Sequence, residues 1–71
     1  MNKPRSEVGK LRRGQIVEAA VAVIAEQGLQ HLSLSEIETR AGMSRGQLMY
    51  YFPTKEDILL AAFDRLIRML R

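Results

Sequence analysis

The sequence contains no cysteine and a single histidine. Without cysteine, neither a disulfide nor a thiolate metal site can stabilise the chain. His31 has no suitably placed aspartate or cysteine with which to form a metal site or a catalytic pair. We therefore expect a protein that is not an enzyme and that uses neither a metal nor a cofactor.

Long apolar runs are also missing. The longest, AAVAVIA at residues 19–25, is far shorter than the stretch of about twenty residues that spans a membrane. No apolar segment follows the basic residues of MNKPRSEVGK, so the N-terminus does not read as a signal peptide. The sequence predicts a cytoplasmic protein without membrane contact.

Positive charge is concentrated at the start of the chain. Residues 1–13 contain five basic residues and one acidic residue, a net charge of +4, whereas the rest of the chain has a net charge of −1. Such segments commonly bind phosphate, but they are equally common as solvated termini. We expect residues 1–9 to form a flexible basic arm ahead of one folded domain, residues 10–71.

The apolar spacing predicts an all-α fold of four helices with one modest core. The first helix should run from about Leu11 to Gln27 and end at Gly28, because glycine accepts the left-handed conformation at a helix C-terminus. Leu29 should then make the hydrophobic contact of that ending. The apolar stripe of this helix consists of Ile16, Ala19, Ala20, Val23 and Ile24.

Hydroxyl residues mark the start of each later helix. Ser33 should cap a second helix over residues 34–41, with Glu36 completing a capping box. Ser44 should cap a third helix over residues 45–51. Thr54, with Asp57 at the capping-box position, should begin the fourth.

Between the second and third helices lies a turn of about three residues around Gly42. This spacing is typical of a helix-turn-helix, here covering about residues 33–52. In the third helix, Leu48 and Phe52 should face the core. The residues expected to avoid it are Arg45, Gly46, Gln47, Met49 and Tyr50.

The chemistry of these outward residues indicates DNA. Arginine can bind guanine with two hydrogen bonds, and glutamine can bind adenine in the same way. The hydroxyl of Tyr50 suits a phosphate oxygen, as does Lys55 in the first turn of the fourth helix. We therefore expect base-reading groups in the middle of the third helix and phosphate-binding groups on either side.

The run LSLSEIETRAGMSRGQLMYYFPTKEDILLAAF resembles the DNA-binding domain of TetR-family transcriptional regulators, and GQIVEAAVAVIAEQG resembles that family's first helix. The resemblance implies a homeodomain-like three-helix core with a fourth helix added. It also implies a homodimeric repressor whose larger C-terminal domain binds a small-molecule effector and releases double-stranded DNA. The residues that it implies in DNA binding are Ser33, Ser35, Arg45, Gly46, Gln47, Tyr50 or Tyr51, and Lys55. To these we add Ser44, because a residue that caps a helix N-terminus can also contact DNA, and Met49, which can touch a thymine methyl.

Three features depart from the family pattern. Met49 stands where tyrosine is usual, so one phosphate contact is lost or passes to Tyr50, although methionine can still touch a thymine methyl. Glu38 stands where a small alanine is usual, and we expect it to pair with a nearby arginine. The family continues beyond the position of Arg71 with its effector and dimerisation domain, so we expect this chain to be part of a longer protein.

The fourth helix offers an alternative function. Its apolar side is wide, and we expect one part to support the second and third helices and the remainder to be exposed around Leu66, Ile67 and Leu70. Exposed apolar strips usually mark an interface. The alternative to DNA binding is therefore a helical protein-interaction module that uses this strip.

Overall fold

The computed structural model describes residues 5–70, and it describes side chains from Glu7 onward. Four α-helices and one short 3₁₀ turn, but no strand, occur in this part of the chain. The all-α prediction is therefore confirmed. The helices are α1 (Arg5–Gln27), α2 (Leu34–Ala41), α3 (Arg45–Tyr51) and α4 (Lys55–Met69), and the 3₁₀ turn is Leu29–His31.

The first helix begins at Arg5, six residues before the predicted start. The expected arm is therefore helical from Arg5 onward, and residues 1–4 lie outside the described chain. Glu7 in the first turn stabilises this end, because an acidic side chain complements the helix dipole there. Gly9 does not interrupt the helix, and a Cβ at this position would lie 3.8 Å from Cε1 of Tyr51.

The core is built around α1, which contacts each of the other three helices. The predicted stripe of α1 is confirmed, with Ile16, Ala20 and Val23 fully buried. We expected α4 to support α2 and α3, but its main neighbour is α1. The side chains that complete the core from the other helices include Ile37 of α2, Leu48 of α3, Phe52 just after α3, and Ile58 and Ala62 of α4.

Gly42 makes the sharp bend between α2 and α3. Its backbone is left-handed, with φ 67° and ψ 35°, and its N–H donates to the carbonyl of Glu38 at 2.9 Å. The N–H of Met43 donates to the same carbonyl at 3.1 Å. These bonds satisfy the last carbonyl groups of α2. The chain then starts α3 at Arg45, as the glycine spacing predicted.

The bend after α1 differs from its prediction. Gly28 has the expected positive φ of 93°, but its ψ of 158° lies outside the left-handed helical region. The chain therefore leaves α1 in an extended direction and enters the 3₁₀ turn. Leu29 is 47% exposed and is not part of the buried core.

Hydrogen bonds confirm the caps predicted at the starts of α2, α3 and α4. The Ser33 hydroxyl accepts from the N–H of Glu36 at 3.1 Å, although the return bond from the Glu36 side chain is not formed. Thr54 accepts from the N–H of Asp57 at 3.1 Å, and the Asp57 carboxylate accepts from the N–H of Thr54 at 3.2 Å. The start of α4 is thus fixed by a complete capping box.

A search of residues 5–70 for a membrane-spanning segment found no helix with the required length and hydrophobicity.

Candidate nucleic-acid interface

The third helix has one buried side and one exposed side. Leu48 is fully buried, as is Phe52 just after the helix, whereas Tyr50 is 80% exposed. Arg45 and Gln47 are exposed on the same short helix, which is roughly 10 Å long at 1.5 Å per residue. The packing of Leu48 and Phe52 therefore holds a rigid polar surface towards solvent.

Arg45 is tied to the second helix. Its Nε donates to Oε2 of Glu38, and its Nη2 lies 3.4 Å from the hydroxyl of Ser35. Glu38 is the residue that departs from the family pattern, and its predicted pairing with an arginine is confirmed. The contacts bring the start of α2 and the start of α3 together in one polar cluster.

Gln47 has a structural bond that the sequence analysis missed. Its Oε1 accepts from the N–H of Ser44 at 2.9 Å, while the Ser44 hydroxyl accepts from the N–H of Gln47 at 3.2 Å. This is a complete capping box, and the Ser-x-x-Gln spacing was the signal for it. A two-bond contact with adenine uses the same oxygen, so it would compete with the bonds that this oxygen accepts from Ser44. The amide NH2 stays free to donate.

Met49 lies elsewhere than predicted. We expected it to avoid the core, but it is partly buried and packs against it. Met49 precedes buried Phe52 by three positions, which places it beside the buried row, and the way α3 rests on the core covers part of its side chain. Tyr51 is half-buried, and its ring meets that of Tyr50 edge to face with the ring centres 4.9 Å apart.

The other residues predicted to bind DNA lie in two places, near the starts of α2 and α3 and at the start of α4. Ser33 is half-buried at the start of α2, whereas Ser35, Ser44 and Gly46 are exposed near the start of α3. Lys55 is exposed in the first turn of α4, and no ion pair to it occurs within residues 5–70. The structure thus joins Ser35 to Arg45 directly, but no hydrogen bond links Lys55 to that cluster in the described chain.

Arg13 is a basic residue near α3 whose position the sequence did not reveal. Its guanidinium carbon lies 4.4 Å from the centre of the Phe52 ring, over the end of α3. A cation over an aromatic face is favourable, and this one also adds positive charge beside the C-terminus of the helix. In the sequence, Arg13 was visible only as a basic residue outside the apolar stripe of α1.

Two ion pairs connect α1 to its neighbours away from α3. Glu18 and Arg65 are 3.1 Å apart and join α1 to α4 across an open groove of about 690 Å³. Arg40 of α2 pairs with Glu26 of α1, and its Nη1 donates to Oε2 at 3.0 Å. The hydrogen bond from Arg40, followed by its charge, holds the pKa of Glu26 below its ordinary value.

A left-handed glycine turn that joins two short helices, the second with an exposed polar side, defines a helix-turn-helix of the DNA-binding class. The described chain contains no group of three or more acidic or histidine residues that could hold a metal ion. The exposed groups around the start of α3 include the guanidinium of Arg45, the amide of Gln47 and the hydroxyls of Ser35 and Ser44, which can all donate hydrogen bonds to nucleic acid.

Comparisons with known proteins agree with this class. The sequence model described as "Bacterial regulatory proteins, tetR family" matches residues 16–62. The HTH-type transcriptional regulator BetI of Yersinia pestis (strain Pestoides F) is 37% identical over 67 residues, which cover 94% of this chain and 34% of the relative. The fatty acid metabolism regulator protein of Bacillus subtilis (strain 168) is 47% identical over 49 residues, which cover 69% of this chain and 25% of the relative. No solved structure gave a significant match.

The chain belongs to the tetR family of bacterial regulatory proteins, since the family model covers well over half of its residues. The matched segment begins in α1, includes the helix-turn-helix and ends in α4. Its relatives are named as regulators and not as enzymes. The chain spans about a third or less of the length of these relatives, 34% and 25%.

Proposed function

We propose that this chain is the DNA-binding domain of a TetR-like transcriptional regulator and that α3 enters the major groove. One observation carries the proposal: Arg45, Gln47 and Tyr50 are exposed on a helix whose opposite side is anchored by fully buried Leu48. A major groove about 12 Å wide accepts a single helix of this kind.

The base-reading groups are the side chains of Arg45 and Gln47. Arg45 donates from its guanidinium to the acceptors of guanine, and Gln47 donates from its amide NH2 while its oxygen keeps the helix cap. Gly46 between them leaves room for the backbone, because only the Ser44 hydroxyl lies within 4 Å of its missing Cβ, at 3.9 Å. Met49 holds the helix against the core, so a thymine contact from it is secondary.

The phosphate-binding groups surround the base-reading pair. Hydroxyls and backbone N–H groups at helix starts suit phosphate oxygens, and a phosphate beside Lys55 relieves the conflict between this cation and the positive end of α4. In this arrangement α2 crosses the DNA backbone. The proposed phosphate contacts are Ser33, Ser35, Ser44, Tyr50, Tyr51 and Lys55.

The complete regulator is proposed to act as a homodimeric repressor in the cytoplasm. Two copies would read half-sites about 34–36 Å apart, one turn of DNA. A small-molecule effector would bind a domain outside this chain and release the DNA. The exposed apolar strip of α4 would contact that domain, and it consists of Leu60, Phe63 and Ile67 with Leu70 just after the helix, at intervals of three or four residues. Leu66, which was expected in this strip, is instead partly buried against the core.

The same strip supports a second candidate, a protein-interaction module that does not bind DNA. An exposed apolar surface of this kind usually marks an interface. One regulator could have both functions. If protein interaction were the sole function, however, the domain would not bind DNA.

A mobility-shift titration of the 71-residue chain with random-sequence duplex DNA tests the proposal. At low salt the chain should shift the duplex, and the logarithm of the association constant should fall linearly with the logarithm of salt concentration. The slope should be about −0.9 for each phosphate contacted. If the chain leaves the duplex unshifted at the lowest salt, the protein-interaction module is the better description.

A further inference from the structure

We propose that Glu38 is a positioning residue that sets the base preference of Arg45. This inference rests on the proposed function, because it concerns how the arginine is presented to DNA. The observation is the bond from Nε of Arg45 on α3 to Oε2 of Glu38 on α2, with Nη2 at 3.4 Å from the Ser35 hydroxyl. None of the DNA-binding roles assigned above belongs to Glu38.

The geometry leaves the end of the guanidinium available. Arginine has five N–H donors in a planar fork, and a two-bond contact with guanine needs two of them. The carboxylate accepts from Nε–H and the Ser35 hydroxyl accepts one N–H of Nη2, so both N–H groups of Nη1 and the second N–H of Nη2 stay available for the base. The bond also fixes the plane of the fork before DNA arrives, so less rotamer freedom is lost on binding.

The exposed fractions of the two side chains agree with this arrangement. The side chain of Glu38 is 26% exposed and that of Arg45 is 52% exposed, so the carboxylate lies beneath the guanidinium. A carboxylate in that position cannot bind phosphate and repels it. Glu38 therefore weakens sequence-independent binding while it strengthens the choice of base, which is a gain in specificity rather than affinity.

Three variants of the chain separate this role from general charge effects. Glu38→Ala removes the carboxylate, whereas Glu38→Gln keeps an oxygen that can accept from Nε. Glu18→Ala is the matched control, because it also deletes the carboxylate of an inter-helix ion pair with arginine, at a site away from α3. Circular dichroism melts establish that each variant is folded.

The experiment begins with selection of a preferred duplex from a randomised library by the unmodified chain. The affinity of each variant is then measured for that duplex and for duplexes changed at one base pair. Glu38→Ala should reduce the preference at the base pair read by Arg45 severalfold, and at most by the roughly five- to 150-fold discrimination that the whole two-bond contact provides. Glu38→Gln should retain more of this preference, and Glu18→Ala should retain all of it.

A second comparison places the effect on Arg45 itself. In an Arg45→Ala background, Glu38→Ala should change the base preference no further, since there is no guanidinium left to orient. If Glu38→Ala instead changes the affinity for every duplex by the same factor, the positioning role is refuted while DNA binding stands. If the unmodified chain binds no duplex, the proposed function fails first and this inference fails with it.

Discussion

The two sides of α3 differ in their exposure to solvent, although their residues are adjacent in the sequence. On one side Leu48 and Phe52 are almost completely buried, and on the other Tyr50 is 80% exposed. Arg45 and Gln47 on the exposed side form hydrogen bonds with polar groups of α2 and of the start of α3. The comparison indicates that the fold depends on one side and recognition on the other, so mutations should separate stability from DNA binding.

The largest expected effect comes from the buried side. Leu48→Ala should lower the free energy of unfolding by about 2–5 kcal/mol, because it removes a fully buried side chain and leaves a cavity. Tyr50→Ala on the exposed side is the matched control, and it should change stability by no more than about 0.5 kcal/mol. Urea denaturation followed by circular dichroism measures both. Similar losses from the two variants would remove the distinction between the sides.

Arg45→Ala should produce the converse result. Its stability should stay within about 0.5 kcal/mol of the original, whereas discrimination at one base pair should fall by about 1–3 kcal/mol. Binding-site selection from a random library measures the change. An unaltered base preference would exclude Arg45 from base reading and confine it to its ion pair with Glu38.

Lys55→Ala should weaken binding to all sequences alike. Loss of one phosphate contact should lower the slope of the salt dependence by about one. Arg68→Ala removes the same charge from the far end of α4, where Arg68 pairs with Asp64 at 3.2 Å, and serves as the control. Equal slopes for the two variants would show that Lys55 acts only through net charge.

The smallest effect concerns an ion pair away from both sides of α3. Because Arg40 lowers the pKa of Glu26 in the folded state, the pair contributes stability above the ordinary glutamate pKa of about 4.3. That contribution is lost as the pH falls through the lowered pKa. Thermal melts from pH 6 to 3 should therefore show less acid destabilisation in Glu26→Gln than in the original chain. If the melting temperatures of the two chains depended on pH in the same way, this would contradict a stabilising role for the Glu26–Arg40 pair.

Features that depend on nearby residues could be predicted from the sequence. Ser33, Gly42, Ser44 and Thr54 act on backbone groups within a few positions of themselves, so α2 and α3 begin and end, and α4 begins, at the expected residues. The buried row of Ile16, Ala20 and other α1 residues follows from the helical period alone. The family resemblance added the roles of the exposed residues, which spacing by itself does not assign.

Features that depend on packing could not be predicted in the same way. The early start of α1 places Gly9 beside Tyr51, a contact between residues that are distant in sequence. Met49 was expected to face solvent because of the motif, but its partial burial depends on how α3 rests on the core. The partner of Glu38 was uncertain because several arginines were candidates until α2 and α3 were placed.

Residue-level mapping by nuclear magnetic resonance tests the central claim most directly. When the ¹⁵N-labelled chain is titrated with the selected duplex, the changes in amide chemical shift should be largest at Arg45, Gln47 and Tyr50. These changes should become smaller as salt is added. The apolar strip of α4 should change little. Shifts confined to that strip, with α3 unaffected, would contradict the proposal that α3 is the DNA-reading helix.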